Sequence, residues 1–296
     1  MAPASSAVRK DAPIAAILPS LQVKFPQRIL SVLLLLAMMA ALSFSLPAVA
    51  QGGPPFITND PGTPGDANWE INIMTYSERH PAARIFNAPL LDLNYGVGSR
   101  IQLTYEVPYL VVGTDGGPTR SGLGKSLPGV KWRFYDSDEK KLSVSIFPQL
   151  EFNNPDASLQ RGLVSYNTRF YLPVEVSKEV GPIQLNPEAG YIFSGGKGAG
   201  WFTGLVVLRE INKRMEVAAE FYNSANTDGT NRWNTYDGGG RYKLGEHFIL
   251  LFMAGRSFAR PSSTQPQLFG YVGMQFLFSM KHKKEIPPEP HPPEAN

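Results

Sequence analysis

The sequence predicts an all-β protein, a transmembrane antiparallel up-and-down β-barrel of about twelve strands. Three observations lead there: long runs of alternating polarity from Trp69 onward, connections that alternate between longer and shorter, and an export-type N-terminus on a chain without cysteine. Alternation is the period of a strand whose two faces meet different surroundings.

The N-terminus comes first. Lys24 and Arg28 precede an uncharged apolar run from Ile29 to Leu46, which closes on Pro47, Ala48, Val49 and Ala50. That order is the charged region, apolar region and small-residue cleavage site of a secretory signal, with cleavage expected after Ala50. A transmembrane anchor is the alternative, but no basic stop-transfer cluster follows. Residues 1–22 are longer than a signal needs and read as an extended n-region. Removing residues 1–50 lowers the count from 28 basic and 25 acidic residues to 24 of each, so the mature chain carries no basic footprint for nucleic acid. An exported chain without cysteine cannot draw on disulfides, and its stability must come from an extensive hydrogen-bonded fold. Residues 51–68 read as a periplasmic N-terminal segment.

Twelve runs follow: 69–78, 86–95, 100–112, 123–135, 142–152, 163–176, 183–193, 201–211, 215–224, 232–244, 248–256 and 268–280. In the cleanest, Ile101, Leu103, Tyr105, Val107, Tyr109 and Val111 share one face, against Gln102, Thr104 and Glu106 on the other. Val130, Trp132 and Phe134 oppose Lys131 and Arg133 in the same way, and Ile183, Leu185, Ala189, Tyr191 and Phe193 oppose Gln184, Asn186 and Glu188. The runs exceed the usual soluble strand of about 5–6 residues and approach the tilted length that crosses a bilayer. No helical periodicity is evident after residue 50.

Longer connections (79–85, 113–122, 153–162, 194–200, 225–231, 257–267) alternate with shorter ones (96–99, 136–141, 177–182, 212–214, 245–247). Long external loops and short periplasmic turns are the bacterial-barrel pattern, and an even strand count puts both ends in the periplasm. Thr119, Ser158, Lys197, Asn231 and Ser263 are then external, and Asp138, Lys213 and the Pro-rich tail from residue 281 periplasmic. Aromatics near run ends (Trp69, Tyr95, Tyr109, Phe134, Tyr135, Tyr191, Phe193, Trp201, Trp233, Tyr242, Phe248, Phe269, Tyr271) suit the interfacial girdles of a barrel. A soluble β-sandwich would bury them in a core, but with shorter strands and no alternation of loop length. Pro89, Pro108, Pro148, Pro173 and Pro187 fall inside runs, where each removes a ladder donor; Pro108 and Pro173 sit near run ends, above the hydrocarbon zone, while Pro148 and Pro187 call for bulges.

Five segments, TNDPGTPGDANWEIN (Thr58–Asn72), APLLDLNYGVGSRIQL (Ala88–Leu103), GLGKSLPGVKWRF (Gly122–Phe134), LREINKRMEVAAEFY (Leu208–Tyr222) and GGGRYKLGEHFILLFMAGR (Gly238–Arg256), resemble the exported barrels grouped as the meta-pathway phenol-degradation family. The resemblance covers nearly the whole mature chain. It implies an outer-membrane protein of a kind sometimes encoded beside aromatic-degradation enzymes and suspected of carrying their substrates, and it supplies no catalytic or binding residues. One departure is the tail after YVGMQFLF, since barrels usually end on the aromatic that the insertion machinery reads; Tyr271 and Phe278 are the internal candidates for that role.

If the apolar parity faces lipid, the other lines the lumen: Glu70, Asp92, Glu106, Lys131, Arg133, Glu151, Arg169, Glu188, Glu216 and Glu220. Facing lipid at the midplane would cost about 2–4 kcal/mol per Arg or Lys. Mixed charge suits either an ion-pair network that fills the lumen or a polar path whose constriction selects. The expected partners are outer-membrane lipid, the barrel-insertion machinery and a small hydrophobic or aromatic substrate. No cofactor or metal motif is found, and GGKGAG lacks the strand-to-helix context of a phosphate loop. A lipid-modifying enzyme would need Ser77 or a loop serine beside His80, because His247 lies at the other end and His282 and His291 lie in the tail. Passive transport of small molecules, a closed structural barrel, a soluble binding protein and such an enzyme are the functions left open, in that order.

Overall fold

The computed structural model describes residues 54–153, 156–195, 198–258 and 265–280. The expected signal peptide, the tail, Lys197 and Ser263 lie outside the described residues. The strand segments are β1 (Asn68–Arg79), β2 (Ala83–Val97), β3 (Ile101–Thr114), β4 (Arg120–Leu123), β5 (Lys125–Ser137), β6 (Leu142–Ile146), β7 (Gln149–Asn153), β8 (Arg169–Val180), β9 (Ile183–Ser194), β10 (Gly200–Asn212), β11 (Met215–Asn226), β12 (Trp233–Lys243), β13 (Phe248–Ser257) and β14 (Leu268–Ser279). All pairings are antiparallel, and β1 pairs with β14 from Asn68↔Ser279 to Arg79↔Leu268, which closes the sheet and leaves no edge. β4 and β5 form one stave against β3, and β6 and β7 form one between β5 and β8, so the segments make a closed barrel of twelve staves.

The prolines explain the broken staves. Pro89 sits in a register shift between Asn87 and Leu90, and Pro108, the partner of Leu90, borders the same shift. Pro148 occupies the gap between β6 and β7, its carbonyl accepting from Val130, while the Pro173 carbonyl accepts from Phe147. Pro187 borders the stretch where the β8–β9 ladder skips from Glu175↔Glu188 to Lys178↔Leu185. Each ring thus lies where the ladder is interrupted, as a residue without an N–H requires.

The outer wall is apolar: Leu103, Val130, Trp132, Phe134, Leu205 and Val207 are exposed, while the intervening Gln102, Lys131 and Val206 are buried inside. Aromatic pairs ring the outside, among them Trp69–Tyr95 at 4.9 Å and Tyr191–Trp201 at 4.6 Å between ring centroids. Trp233, Phe269 and Tyr271 correct the girdle assignment. They share parity with Asp237 and Gln275 and point into the lumen, because run-end position says nothing about which face a ring takes.

Boundaries also shift. β8 starts at Arg169 rather than 163, and a single-turn helix α1 (Asp156–Gln160) occupies part of the preceding loop. It is too short to leave a period in the sequence. The first connection, expected at 79–85, shrinks to 80–82, no longer than the turn 98–100 after it. The remaining connections keep the long–short alternation.

Candidate functional site

The segment expected to be a periplasmic N-terminal one, residues 51–68, instead crosses the barrel interior from residue 54. Thr58 and Asp60 are 1% and 3% exposed, and Pro55 and Pro61 are fully buried. A segment with so many prolines forms no ladder of its own, so its remaining N–H groups must find acceptors elsewhere. They find wall carboxylates: Ile57 and Thr58 donate to the two oxygens of Glu220 at 2.9 and 2.6 Å. Asn59 donates its backbone and side-chain N–H groups to Glu188 at 3.2 and 3.3 Å. In the other sense, Lys131 donates to the Asp60 carbonyl, and Arg241 makes two bonds to the Pro54 carbonyl at 3.0 and 2.7 Å. Thr63 then donates to the Ser99 carbonyl, and the chain enters β1. The wall makes room at Gly204, where a Cβ would lie 1.8 Å from the Thr58 hydroxyl.

Around this segment the wall is cross-linked. Lys131 also pairs with Glu175 at 3.3 Å, and Ser145 donates to the same carboxylate at 2.6 Å. Asn72 donates to Glu70 and Asp92, Asn94 to Asp92, and Gln102 and Thr104 both to Asn94, tying β1, β2 and β3 together. Of the lumen candidates, Glu70, Asp92, Glu106, Lys131 and Glu188 line one chamber, Arg133 and Glu216 line a second, and Glu220 holds the segment. Arg133 reaches the Ser99 carbonyl at 2.6 Å, and Glu216 lies 3.8 Å from Arg241. Glu151 and Arg169 pair across β7 and β8 near the loop end, where Glu151 takes Lys125 at 2.8 Å and Tyr171; neither lines a chamber.

Two chambers flank the segment. One, of about 380 Å³, reaches from Tyr76 and Trp233 near the loop end down to Glu70 and Asp92, with Phe56 and Ile57 in its wall. The other, of about 680 Å³, lies at the turn end among Lys213, Arg214, Arg241 and Lys243. Met74, Leu90, Ile249, Leu251, Met253, Phe269 and Tyr271 form a buried apolar cluster against which Phe56 and Ile57 pack, and Met74, Leu90, Met253 and Tyr271 also line the first chamber.

Parity reasoning missed Glu175, though Val174 and Val176 flank it in plain alternation. It also missed Asp237 and Arg241, whose run carries three consecutive glycines and no clear apolar face. Of the residues an enzyme would need, Ser77 donates to the Gly270 carbonyl and His80 pairs with Glu78 at 2.8 Å.

A closed twelve-staved barrel with an apolar outer wall and a polar, chambered lumen is the outer-membrane barrel architecture. No family model matches the chain, and no curated protein matches it. Among solved structures it is similar to an outer-membrane channel from Pseudomonas putida F1, at 13% identity over 77% of this chain and 100% of that one, with a TM-score of 0.60. It is also similar to the NanC porin (10% identity, 72% of this chain and 100% of that one, TM-score 0.52) and the KdgM porin (13%, 70% and 99%, 0.50). At these identities the likeness is one of fold.

Proposed function

We propose that the chain is a passive channel of the Gram-negative outer membrane, delivered by a signal peptide cleaved after Ala50, with its loop end outside and its turn end in the periplasm. It admits small molecules, including aromatic and other hydrophobic ones, past a constriction made by residues 54–66. One observation carries the reading: the wall's own side chains do not fill the lumen. Chambers of about 380 and 680 Å³ flank a segment held there by hydrogen bonds. Aromatic substrates are supported by the rings inside the first chamber and by the resemblance to the phenol-degradation barrels. The architecture shared with channels and porins supports the channel role and the outer membrane, and the pattern from Lys24 to Ala50 supports the signal peptide.

The competing reading, a closed structural barrel, draws on the same segment, whose main chain is bonded to Glu188, Glu220, Lys131 and Arg241. Conductance in planar bilayers separates the two. A channel conducts, and Glu188→Gln with Glu220→Gln raises its mean current by loosening the segment. A silent wild type with an equally silent double variant overturns the channel.

A further inference from the structure

Six inward-facing rings form a belt around the loop half of the lumen. Tyr171, Phe202, Tyr222, Trp233, Phe269 and Tyr76 follow one another at centroid separations of 6.4, 6.3, 5.4, 6.1 and 6.3 Å. They come from β8, β10, β11, β12, β14 and β1, and the two staves skipped carry glycine at the crossing. A Cβ on Gly190 would lie 2.4 Å from the Phe202 ring, and one on Gly255 would lie 2.5 Å from the Phe269 ring. Rings lie over bare backbone at both places, so the belt runs across the skipped staves.

Beneath the belt the same chamber is acidic. Its lining includes four carboxylates, Glu70, Asp92, Glu106 and Glu188, and one ammonium, Lys131. Asp237, on the face of β12 that also carries Trp233, is 6% exposed and lies against the Glu220 carboxylate. Lys131 already shows how this lumen holds a positive charge: its ammonium sits 4.7 Å from the centre of the Phe147 ring and 3.3 Å from Glu175. Aromatic faces attract cations through the ring quadrupole, most strongly where water is excluded.

We propose that the loop-side chamber is a binding site for small aromatic ammonium ions. The aromatic body stacks on the Trp233–Tyr222–Phe202 arc of the belt, and the ammonium points at Glu106. The inference deepens the channel reading and rests on it for the ligand's route in. It also sets a sign: aromatic carboxylates of the same size are rejected by the acidic floor. A volume of about 380 Å³ falls at the small end of the ~300–1,000 Å³ range of ligand pockets, which suits a single-ring molecule.

The test compares benzylammonium with benzoate and benzyl alcohol by titration calorimetry on the detergent-purified mature protein, with folding of every variant checked by its heat-modifiable gel mobility. Benzylammonium is expected to bind at least about tenfold more tightly than benzoate, and Glu106→Gln to remove about tenfold of that affinity while leaving benzyl alcohol unchanged. Trp233→Leu is expected to weaken both. Equal binding of benzoate, or benzylammonium binding that survives Glu106→Gln and Trp233→Leu unchanged, overturns the site. Bilayer conductance keeps the two readings apart: binding without conductance leaves the site standing and removes the channel, whereas conductance without preferential benzylammonium binding does the reverse.

Discussion

Lys131 joins three parts of the molecule at one atom: the crossing segment through the Asp60 carbonyl, the β8 wall through Glu175, and the Phe147 ring. Its side chain and that of Glu175 are 5% and 0% exposed, so replacing Lys131 with Met leaves a buried carboxylate without its partner. Breaking a buried pair in this way costs about 3–5 kcal/mol. Lys131→Met should lower the urea unfolding midpoint of the protein in detergent, and Glu175→Gln added to it should restore part of the loss. If the single variant unfolds with the wild type, the pair contributes nothing. Gly204→Ala probes the segment without altering any charge. Its methyl would collide with Thr58, and the variant should conduct more than wild type while keeping its unfolding midpoint within about 1 kcal/mol of stability. An unchanged current would place the constriction elsewhere.

At the scale of elements, the testable feature is which connections share an end of the barrel. Thr119 and Asn231 follow upward staves, Asp138 and Lys213 follow downward ones, and all four are exposed. With no native cysteine, single Cys substitutions labelled on intact cells should react at 119 and 231 and stay silent at 138 and 213 until the cells are opened. The reverse pattern would invert the barrel. Ser158, the other described loop site, is buried and donates to the Leu123 carbonyl at 2.6 Å, so a Cys there should label poorly. Staves such as β3 and β9 were legible in the sequence because lipid on one side and a polar lumen on the other impose a strict period of two. β10 and β13 show why parity alone could not give the site. Phe202, Val206 and Leu208 face inward while Leu205 and Val207 face outward, and Leu251 and Met253 are buried inside. Where both faces are apolar, alternation carries no direction, and the aromatic belt and apolar cluster stay invisible. The crossing segment was hidden for another reason: its partners Glu188 and Glu220 lie 129 and 162 residues away from the atoms they bind. A Pro-rich stretch before the first strand reads the same whether free or docked.

For the whole molecule, closure of β1 on β14 means that every stave is bonded on both sides, while the segment inside the barrel has no ladder of its own. That segment is joined to β1 through residues 64–67 and is therefore an intramolecular ligand of its own barrel. A tether this short holds a released ligand at an effective concentration on the order of millimolar. Its return to the lumen is then a first-order event, indifferent to how much protein is present, and single-channel records should show flickering rather than lasting openings. Deleting residues 54–63 should convert the flicker to a steady current. A free peptide of that sequence should block the truncated barrel only as its concentration approaches the millimolar range. Block at micromolar peptide would mean that the wall holds the segment far more tightly than the tether requires.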